Sequence, residues 1–201
     1  MADDKNARLR ELLKQIALTG NVGSAGKGID AEFGRDCTIM ISDFSSFLGL
    51  AREKGIVSAL AMVEKAHEIA APILRTLGGE VLRADPDTLV VIFKKPVDAV
   101  MAARAVSRAF EEHNRKQTGE DQLSISFGIG QGRVLVTGDR AYGEQAIIAS
   151  RLGNAREGRF EARLTPEAYE GVKHLESLVF TPADAVMIGG VAVRPYQLMF
   201  A

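Results

Sequence analysis

The chain has 201 residues, 46% of them apolar, which is enough to bury one sizeable core with a short appendage. Its formal net charge of −1 excludes a strong field for nucleic acid or an anionic membrane, so the expected partner is a small anion held by local charges. One cysteine excludes an internal disulfide framework. With no apolar stretch that could span a bilayer and a charged N-terminus unlike a signal peptide, we expect a cytoplasmic protein.

The first predicted element is an amphipathic helix over residues 7 to 18. Its apolar stripe consists of Leu9, Leu12, Leu13, Ile16 and Leu18. We favour burial of this stripe against the helix's own domain. The alternative is that the helix pairs with a second protomer or a regulatory partner. The glycine-rich segment at residues 20 to 28 is predicted to be a flexible hinge. We therefore divide the chain into a helix and linker, residues 1–35, and a main domain, residues 36–201.

The main domain begins with a β-type run at residues 37 to 43, in which Cys37 is expected to be a core residue. A helix follows over residues 56 to 70, with Val57, Leu60, Val63 and Ala70 on its apolar face. Two short strands then form a hairpin around Asp85-Pro86-Asp87.

The next helix starts at Pro96, and an alternating strand follows at residues 123 to 127. The predicted apolar face of this helix consists of Ala99, Ala102, Ala103, Val106 and Phe110. The order β-α-β-β-α-β is that of a ferredoxin-like α+β fold, with an antiparallel sheet and helices on one face. The glycines that follow, Gly128, Gly130 and Gly132, are expected to mark a β-bulge or a tight bend.

Two aspartates end β-type runs and are the candidate metal ligands. Taken alone, Asp43 has the chemistry of a helix N-cap, and Asp87 has that of a hairpin turn. In the predicted topology both converge on one edge of the sheet, where paired carboxylates can hold divalent cations for phosphoryl transfer. The histidines form no comparable cluster, because their spacing does not suit a zinc site, and His67 and His113 are expected on solvated helix faces.

Five segments follow one another in a recognisable order. They are residues 39–47 with Asp43, 78–93 with Asp87, 127–134, 142–152 with Arg151, and 188–198. Together they cover roughly residues 36 to 200, and their ordered succession resembles the class III adenylate/guanylate cyclase catalytic domain. The resemblance implies that a ribose 3′-oxygen attacks the α-phosphate of a nucleoside triphosphate, giving a 3′,5′-cyclic nucleotide and pyrophosphate.

The resemblance also assigns site residues. Asp43 and Asp87, with Phe44, would bind two Mg²⁺ or Mn²⁺ ions, and Arg151 would stabilise the phosphate charge of the transition state. Ser46 and Phe47 would belong to the substrate-binding site. The catalytic unit implied is a homodimer, in which the two aspartates of one protomer face Arg151 of the other.

Five positions depart from the pattern of these cyclases. Arg83 stands where the family has a lysine that recognises the base, and Arg140 stands where it has an aspartate or threonine at the purine edge. Ile147 replaces an asparagine that orients the ribose, and it can form no side-chain hydrogen bond. Glycines of the family are also replaced, by Pro86 and Ser46.

Three functions remain open on these residues. The first is a nucleotide cyclase with a non-standard base pocket, for which Arg83 and Arg140 would bind carbonyl oxygens of the base. The second is a degenerate cyclase-homology module that binds a nucleotide or metal, dimerises and regulates another activity. The third is a purely structural or interaction domain.

Overall fold

The computed structural model describes residues 2–44, 47–116, 122–154 and 160–200. The helices in this part of the chain are α1 (Ala2–Thr19), α2 (Gly23–Phe33), α3 (Phe47–Lys54), α4 (Ile56–Thr76), α5 (Pro96–Asn114), α6 (Glu144–Gly153) and α7 (Pro166–Glu170). The strands are β1 (Gly34–Asp43), β2 (Glu80–Ala84), β3 (Thr88–Phe93), β4 (Ser126–Thr137), β5 (Arg140–Tyr142), β6 (Glu161–Leu164), β7 (Val179–Pro182), β8 (Val186–Ile188), β9 (Val191–Val193) and β10 (Tyr196–Met199). No helix among the described residues is both long and apolar enough to cross a membrane.

Eight of these strands form the main sheet. Seven lie in the order β2-β3-β1-β4-β6-β10-β7, and β5 pairs with β4, while β8 and β9 form a separate two-stranded ladder. Every pair is antiparallel except β4 with β6. The order β2-β3-β1-β4 is the sheet of a βαββαβ core, so the predicted ferredoxin-like α+β fold is confirmed.

Helices α4 and α5 enclose the main core on one face of the sheet. The predicted apolar face of α5 is confirmed, because all five of its residues are fully buried. In α4 the prediction is partly wrong, since Val57 and Leu60 are 77% and 42% exposed. The buried stripe runs through Ala59, Val63, Ala66, Ala70 and Leu74. Helical periodicity alone does not show which of two overlapping apolar stripes will face the core.

Helix α6 lies very close to β4 on the opposite face of the sheet. A Cβ atom on Gly128 would overlap the carbonyl oxygen of Ala149, and Gly130 is crowded by α6 in the same way. The predicted bulge or bend at these glycines is wrong, because β4 pairs with β1 without a register shift. The glycines instead make room for a helix, and a register shift occurs in β2, between Val81 and Arg83.

The N-terminal helix packs on the segment that follows it. The predicted hinge at residues 20 to 28 is wrong, because most of it belongs to α2. Ile29 and Phe33 lie four residues apart on one side of α2, and they bury against Leu9 of α1. This apolar contact offsets the low helix propensity of the glycines. The chain therefore covers part of the α1 stripe itself, although Leu18 is 86% exposed.

An arginine fastens α2 to the sheet. Arg133 of β4 donates from Nε and Nη2 to the two carboxylate oxygens of Asp30, each at 2.9 Å, and from Nη1 to Asp36 at 2.8 Å. The hydrogen bond from Arg133 lowers the pKa of Asp30. This two-pronged contact adds orientation to the apolar packing of α2.

Cys37 lies in β1 and belongs to the smaller core on the α6 side of the sheet. It is 5% exposed, as predicted for a core residue, and burial raises the pKa of its thiol to about 11. A buried thiol of this kind is protonated at neutral pH, so we expect it to be inert in the folded protein.

Candidate functional site

The two candidate aspartates lie at one edge of the sheet. Asp43 is the last residue of β1, and its Cα partner on β3 is Thr88, the residue after Asp87. The backbone N–H of Phe44 donates to the carbonyl oxygen of Asp87 at 2.9 Å. Asp87 is exposed, and its Oδ1 accepts a 3.2 Å hydrogen bond from the hydroxyl of Thr88. The predicted convergence of the two strand ends is therefore present in the structure.

Phe44 anchors this edge to the core. Its side chain is 5% exposed and packs against the rings of His67 and Phe110, with centroids 5.2 and 6.2 Å away. Its carbonyl oxygen accepts a 3.3 Å hydrogen bond from the N–H of Phe47, the first residue of α3. Ser46, the other predicted substrate contact, lies outside the described residues. The buried Phe44 ring thus fixes the backbone that follows Asp43.

The prediction that His67 lies on a solvated helix face is wrong. The residue is half-buried beneath Phe44, its Nε2 has no hydrogen-bond partner among the described residues, and burial lowers its pKa. His113 is also half-buried. An imidazole carries apolar ring surface as well as polar nitrogens, so neighbouring charged residues in the sequence were a poor guide to its exposure.

A groove of about 600 Å³ runs between β5 and α6. Its lining includes four residues that the sequence analysis identified in addition to the aspartates: Arg83, Arg140, Ile147 and Arg151. The remaining lining residues are Ile41, Val90, Asp139, Ala141, Tyr142, Gly143, Ala146 and Ser150. The structure therefore gathers these four side chains in one groove, although Arg83 and Arg151 are 68 positions apart in the chain.

Charged or polar side chains lie beside two guanidinium groups of the groove, those of Arg83 and Arg140. Nε of Arg83 lies 2.6 Å from Oδ2 of Asp85 in the hairpin loop. Nε of Arg140 lies 3.9 Å from Oδ1 of Asp139, and a hydrogen bond with Tyr142 raises the pKa of Arg140. A guanidinium group offers only N–H donors, so the groove favours ligands with negative charge or carbonyl oxygens.

The sequence has no match among models of known protein families. A curated relative is the serine/threonine-protein kinase pkn2 from Myxococcus xanthus, which is 24% identical over 110 residues. That alignment takes in 55% of this chain but only 13% of the kinase, so this chain spans a small part of its relative.

Solved structures decide the fold. The adenylyl cyclase CyaB from P. aeruginosa superposes with a TM-score of 0.70 and 20% identity, over 84% of this chain and 95% of that one. The guanylate cyclase domain of RhGC from Catenaria anguillulae, solved with GTP, gives a TM-score of 0.69 and 17% identity, over 83% and 98%. The chain has the class III cyclase fold. The resemblance seen in the sequence is thereby confirmed, for the fold.

Within one copy of this cyclase fold, the two sets of candidate residues are separate. Ile41 and Val90 line the groove, but neither Asp43 nor Asp87 is among the described residues that do so. Ile41 and Asp43 are two positions apart on β1 and share a face of the sheet, so the groove and the aspartate edge lie on the same side.

The aspartate edge of this cyclase fold suits a hard cation. No three His, Cys, Asp or Glu residues come together as a metal-binding group in the described part of the chain. Mg²⁺, however, is commonly held by one or two carboxylates while water and substrate phosphates complete its coordination. Asp43 at the end of β1, Asp87 in the loop before β3 and a nearby backbone carbonyl therefore fit such an ion, provided that a phosphorylated substrate is bound.

Sequence reasoning missed three residues around the groove. Tyr142 opens a matched segment but was given no role, Asp139 was not considered, and Asn6 precedes the predicted N-terminal helix. Asn6 and Asp139 are 133 positions apart, yet their side chains are hydrogen bonded. No local signal in the sequence could have indicated that contact.

Proposed function

We propose that this protein is a nucleotide cyclase that converts a nucleoside triphosphate to a 3′,5′-cyclic nucleotide and pyrophosphate, as a homodimer with non-standard base specificity. The observation that carries the proposal is the meeting of Asp43 and Asp87 at one edge of the sheet. In a class III cyclase fold this edge is where paired carboxylates are expected, and it lies on the same side of the sheet as a groove lined by three arginines.

The roles of the residues follow from their chemistry. Asp43 and Asp87, with the carbonyl oxygen of Phe44, would hold two Mg²⁺ or Mn²⁺ ions. Bound ions of this kind activate the ribose 3′-oxygen and neutralise the triphosphate. Arg151, in the last turn of α6, would present its planar guanidinium to the charge that develops on the α-phosphate. Phe47, at the start of α3, would lie near the phosphates.

The base preference follows from the two arginines of the groove. Arg83 and Arg140 donate hydrogen bonds but cannot accept one from the amino group of adenine. A base that presents carbonyl oxygens satisfies them, and UTP presents two such oxygens on its base. We therefore expect ATP to be the poorest substrate among the four common nucleoside triphosphates.

Two homodimer sites would explain why the aspartates and the arginine-lined groove are separate within one chain. The aspartates of one protomer would face Arg151 of the partner across a two-fold axis. This arrangement would give two equivalent sites, each with side chains from both copies.

The deciding experiment incubates the purified protein with Mn²⁺ or Mg²⁺ and each of ATP, GTP, CTP and UTP in turn, and identifies cyclic products by mass. We expect a cyclic nucleotide that is lost in Asp43→Ala, because this variant lacks one of the two carboxylates. Absence of product from all four nucleotides, in a protein shown to be folded and dimeric, would refute the proposal.

A second candidate is a cyclase-homology module that binds a nucleotide or dimerises without turnover and regulates another activity. Ile147 favours it, because the groove lacks a hydrogen-bonding side chain at that position. The match to 13% of a kinase also favours it, since a similar segment is a small part of that protein. Kinase activity itself is not proposed, because the sequence contains neither a His-Arg-Asp nor an Asp-Phe-Gly motif. Nucleotide binding by calorimetry without any product would support this second candidate.

A further inference from the structure

Helix α1 reaches the groove through one side chain. Oδ1 of Asn6 accepts a 2.5 Å hydrogen bond from the hydroxyl of Thr137, and Nδ2 of Asn6 donates to Oδ1 of Asp139 at 2.8 Å. The orientation of the amide is unambiguous, because a carboxylate can only accept and must therefore face the NH₂ group. Asn6 thus forms a hydrogen-bonded bridge from Thr137 to Asp139. Thr137, at the end of β4, is fully buried, so one end of this bridge is fixed in the core.

The bridge ends beside Arg140. Gly138 and Asp139 form a two-residue loop between β4 and β5, because Thr137 pairs directly with Arg140. Gly138 has a φ of +54°, which suits the tight turn. In so short a loop, a displacement of Asp139 also displaces Arg140. The 3.9 Å approach of Nε of Arg140 to Oδ1 of Asp139 adds an electrostatic link to the same bridge.

The hairpin is paired through its strands and Ala141 packs on the core, but the side chains of Arg140 and Tyr142 are open on two sides. A second cavity, of about 510 Å³, lies between α1 and the hairpin, and Arg140 and Tyr142 line both this cavity and the groove. Its other walls include Leu9, Leu13 and Leu135. A side chain with open space on two sides is not fixed by its neighbours, so hydrogen bonds must set its position.

We propose that Asn6 is a positioning residue, which holds Asp139 so that Arg140 is presented to the base of the nucleotide. Helix α1 then contributes to recognition of the base. A shift of α1 would alter base preference and leave the aspartate edge in place. This inference rests on the proposed function, because the groove has a base to read only if a nucleotide binds there.

The test compares Asn6→Ala with the wild type and with Asn21→Ala, which makes the same change in the loop after α1. Hydrogen exchange followed by mass spectrometry reports on residues 137–142, and steady-state kinetics gives kcat and KM for each nucleotide. Asn6→Ala removes two hydrogen bonds, and the loss of even one of ordinary strength corresponds to roughly five- to tenfold faster exchange in the hairpin. We expect that increase in Asn6→Ala, with α4 and α5 unchanged and no effect in Asn21→Ala.

The kinetic expectation is a change in selectivity. In Asn6→Ala the KM of the poorest nucleotide divided by the KM of the best should fall by about five- to tenfold. The kcat for the best nucleotide should change less than twofold. Equal exchange in the hairpin of variant and wild type would overturn the positioning role. Faster exchange throughout the sheet, or a loss of kcat with selectivity preserved, would show a structural role only and would also overturn it.

Failure of the proposed function would give a different result from failure of the positioning role of Asn6. A wild-type protein that binds none of the four nucleotides would refute that function and the base-reading role together. The exchange comparison between Asn6→Ala and Asn21→Ala would still decide whether Asn6 holds the hairpin.

Discussion

Ile147 places an apolar side chain in the groove at the position where the cyclases that this sequence resembles have an asparagine. It is 59% exposed, so its identity matters little for the core. A hydrogen-bonding side chain that acts in the transition state typically contributes roughly 10²- to 10³-fold in rate.

We therefore expect Ile147→Asn to increase the rate of cyclic nucleotide formation by about ten- to a hundredfold, with a change in the free energy of unfolding within about 0.5 kcal/mol. Product quantified by mass spectrometry under saturating nucleotide is the measurement. Ile147→Leu is the matched control, because it changes shape without adding a hydrogen-bonding group. An equal response of the two variants would show that position 147 does not contact the substrate.

At the scale of elements, the position of α6 depends on the glycines of β4. The helix carries Ile147 and Arg151, so the approach of α6 to the sheet determines where both side chains reach the groove. Substitution of Gly128 by alanine would drive a Cβ atom into the backbone of α6.

Gly128→Ala should lower the free energy of unfolding by about 1–3 kcal/mol or more, since overpacking against backbone cannot be relieved by a rotamer change. Urea unfolding followed by circular dichroism measures this effect. Gly49→Ala is the control, because a Cβ there meets no atom within 4 Å and alanine favours the helix α3. If Gly128→Ala were as stable as Gly49→Ala, the close approach of α6 would be wrong.

The attachment of α2 also belongs to this scale, and it depends on pH. The pKa of Asp30 is lowered by its hydrogen bond from Arg133, so the contact stabilises the fold above the ordinary pKa of an aspartate, near 4. That contribution is lost as the pH falls through the lower pKa of the folded state.

Arg133→Lys should lower the melting temperature at pH 7, because lysine cannot form the two-pronged contact, and the difference from the wild type should narrow at pH 3. Thermal unfolding at the two pH values tests this expectation. Arg52→Lys, on the exposed surface of α3, should behave as the wild type at both. A difference that stays constant with pH would mean that the carboxylate of Asp30 is not the partner that matters.

For the whole molecule, the shared-site proposal predicts complementation between inactive variants. Asp87→Ala and Arg151→Ala damage different halves of each site, so a heterodimer of the two retains one site with all its groups intact. After complete subunit exchange, half of the dimers are heterodimers, and we expect about one quarter of the wild-type activity.

The control mixture is Asp43→Ala with Asp87→Ala, in which every site lacks one aspartate and no recovery is expected. Native mass spectrometry confirms that subunits have exchanged. Recovery in the control mixture, or none in the test mixture once exchange is shown, would contradict a site built from two protomers.

Much of the fold could be predicted because it depends on local patterns. The order of strands and helices, the buried face of α5 and the hairpin around Asp87 follow from periodicity and turn chemistry. The predictions for the hinge, the glycines of β4 and His67 are wrong because packing partners distant in the chain decided them. Ile29 and Phe33 fold the hinge onto Leu9, and α6 occupies the space that Gly128 leaves.

The sequence by itself determined the fold class and the convergence of Asp43 and Asp87, because adjacent strands in a βαββαβ order bring those chain positions to one edge. It also determined that Arg83, Arg140 and Arg151 can only donate hydrogen bonds, because this property of arginine does not depend on where the side chain lies. Only the tertiary structure decided that these arginines share one groove and that Asn6 reaches Asp139. The Asn6 contact joins residues 133 positions apart, and no local pattern records which distant surfaces will meet.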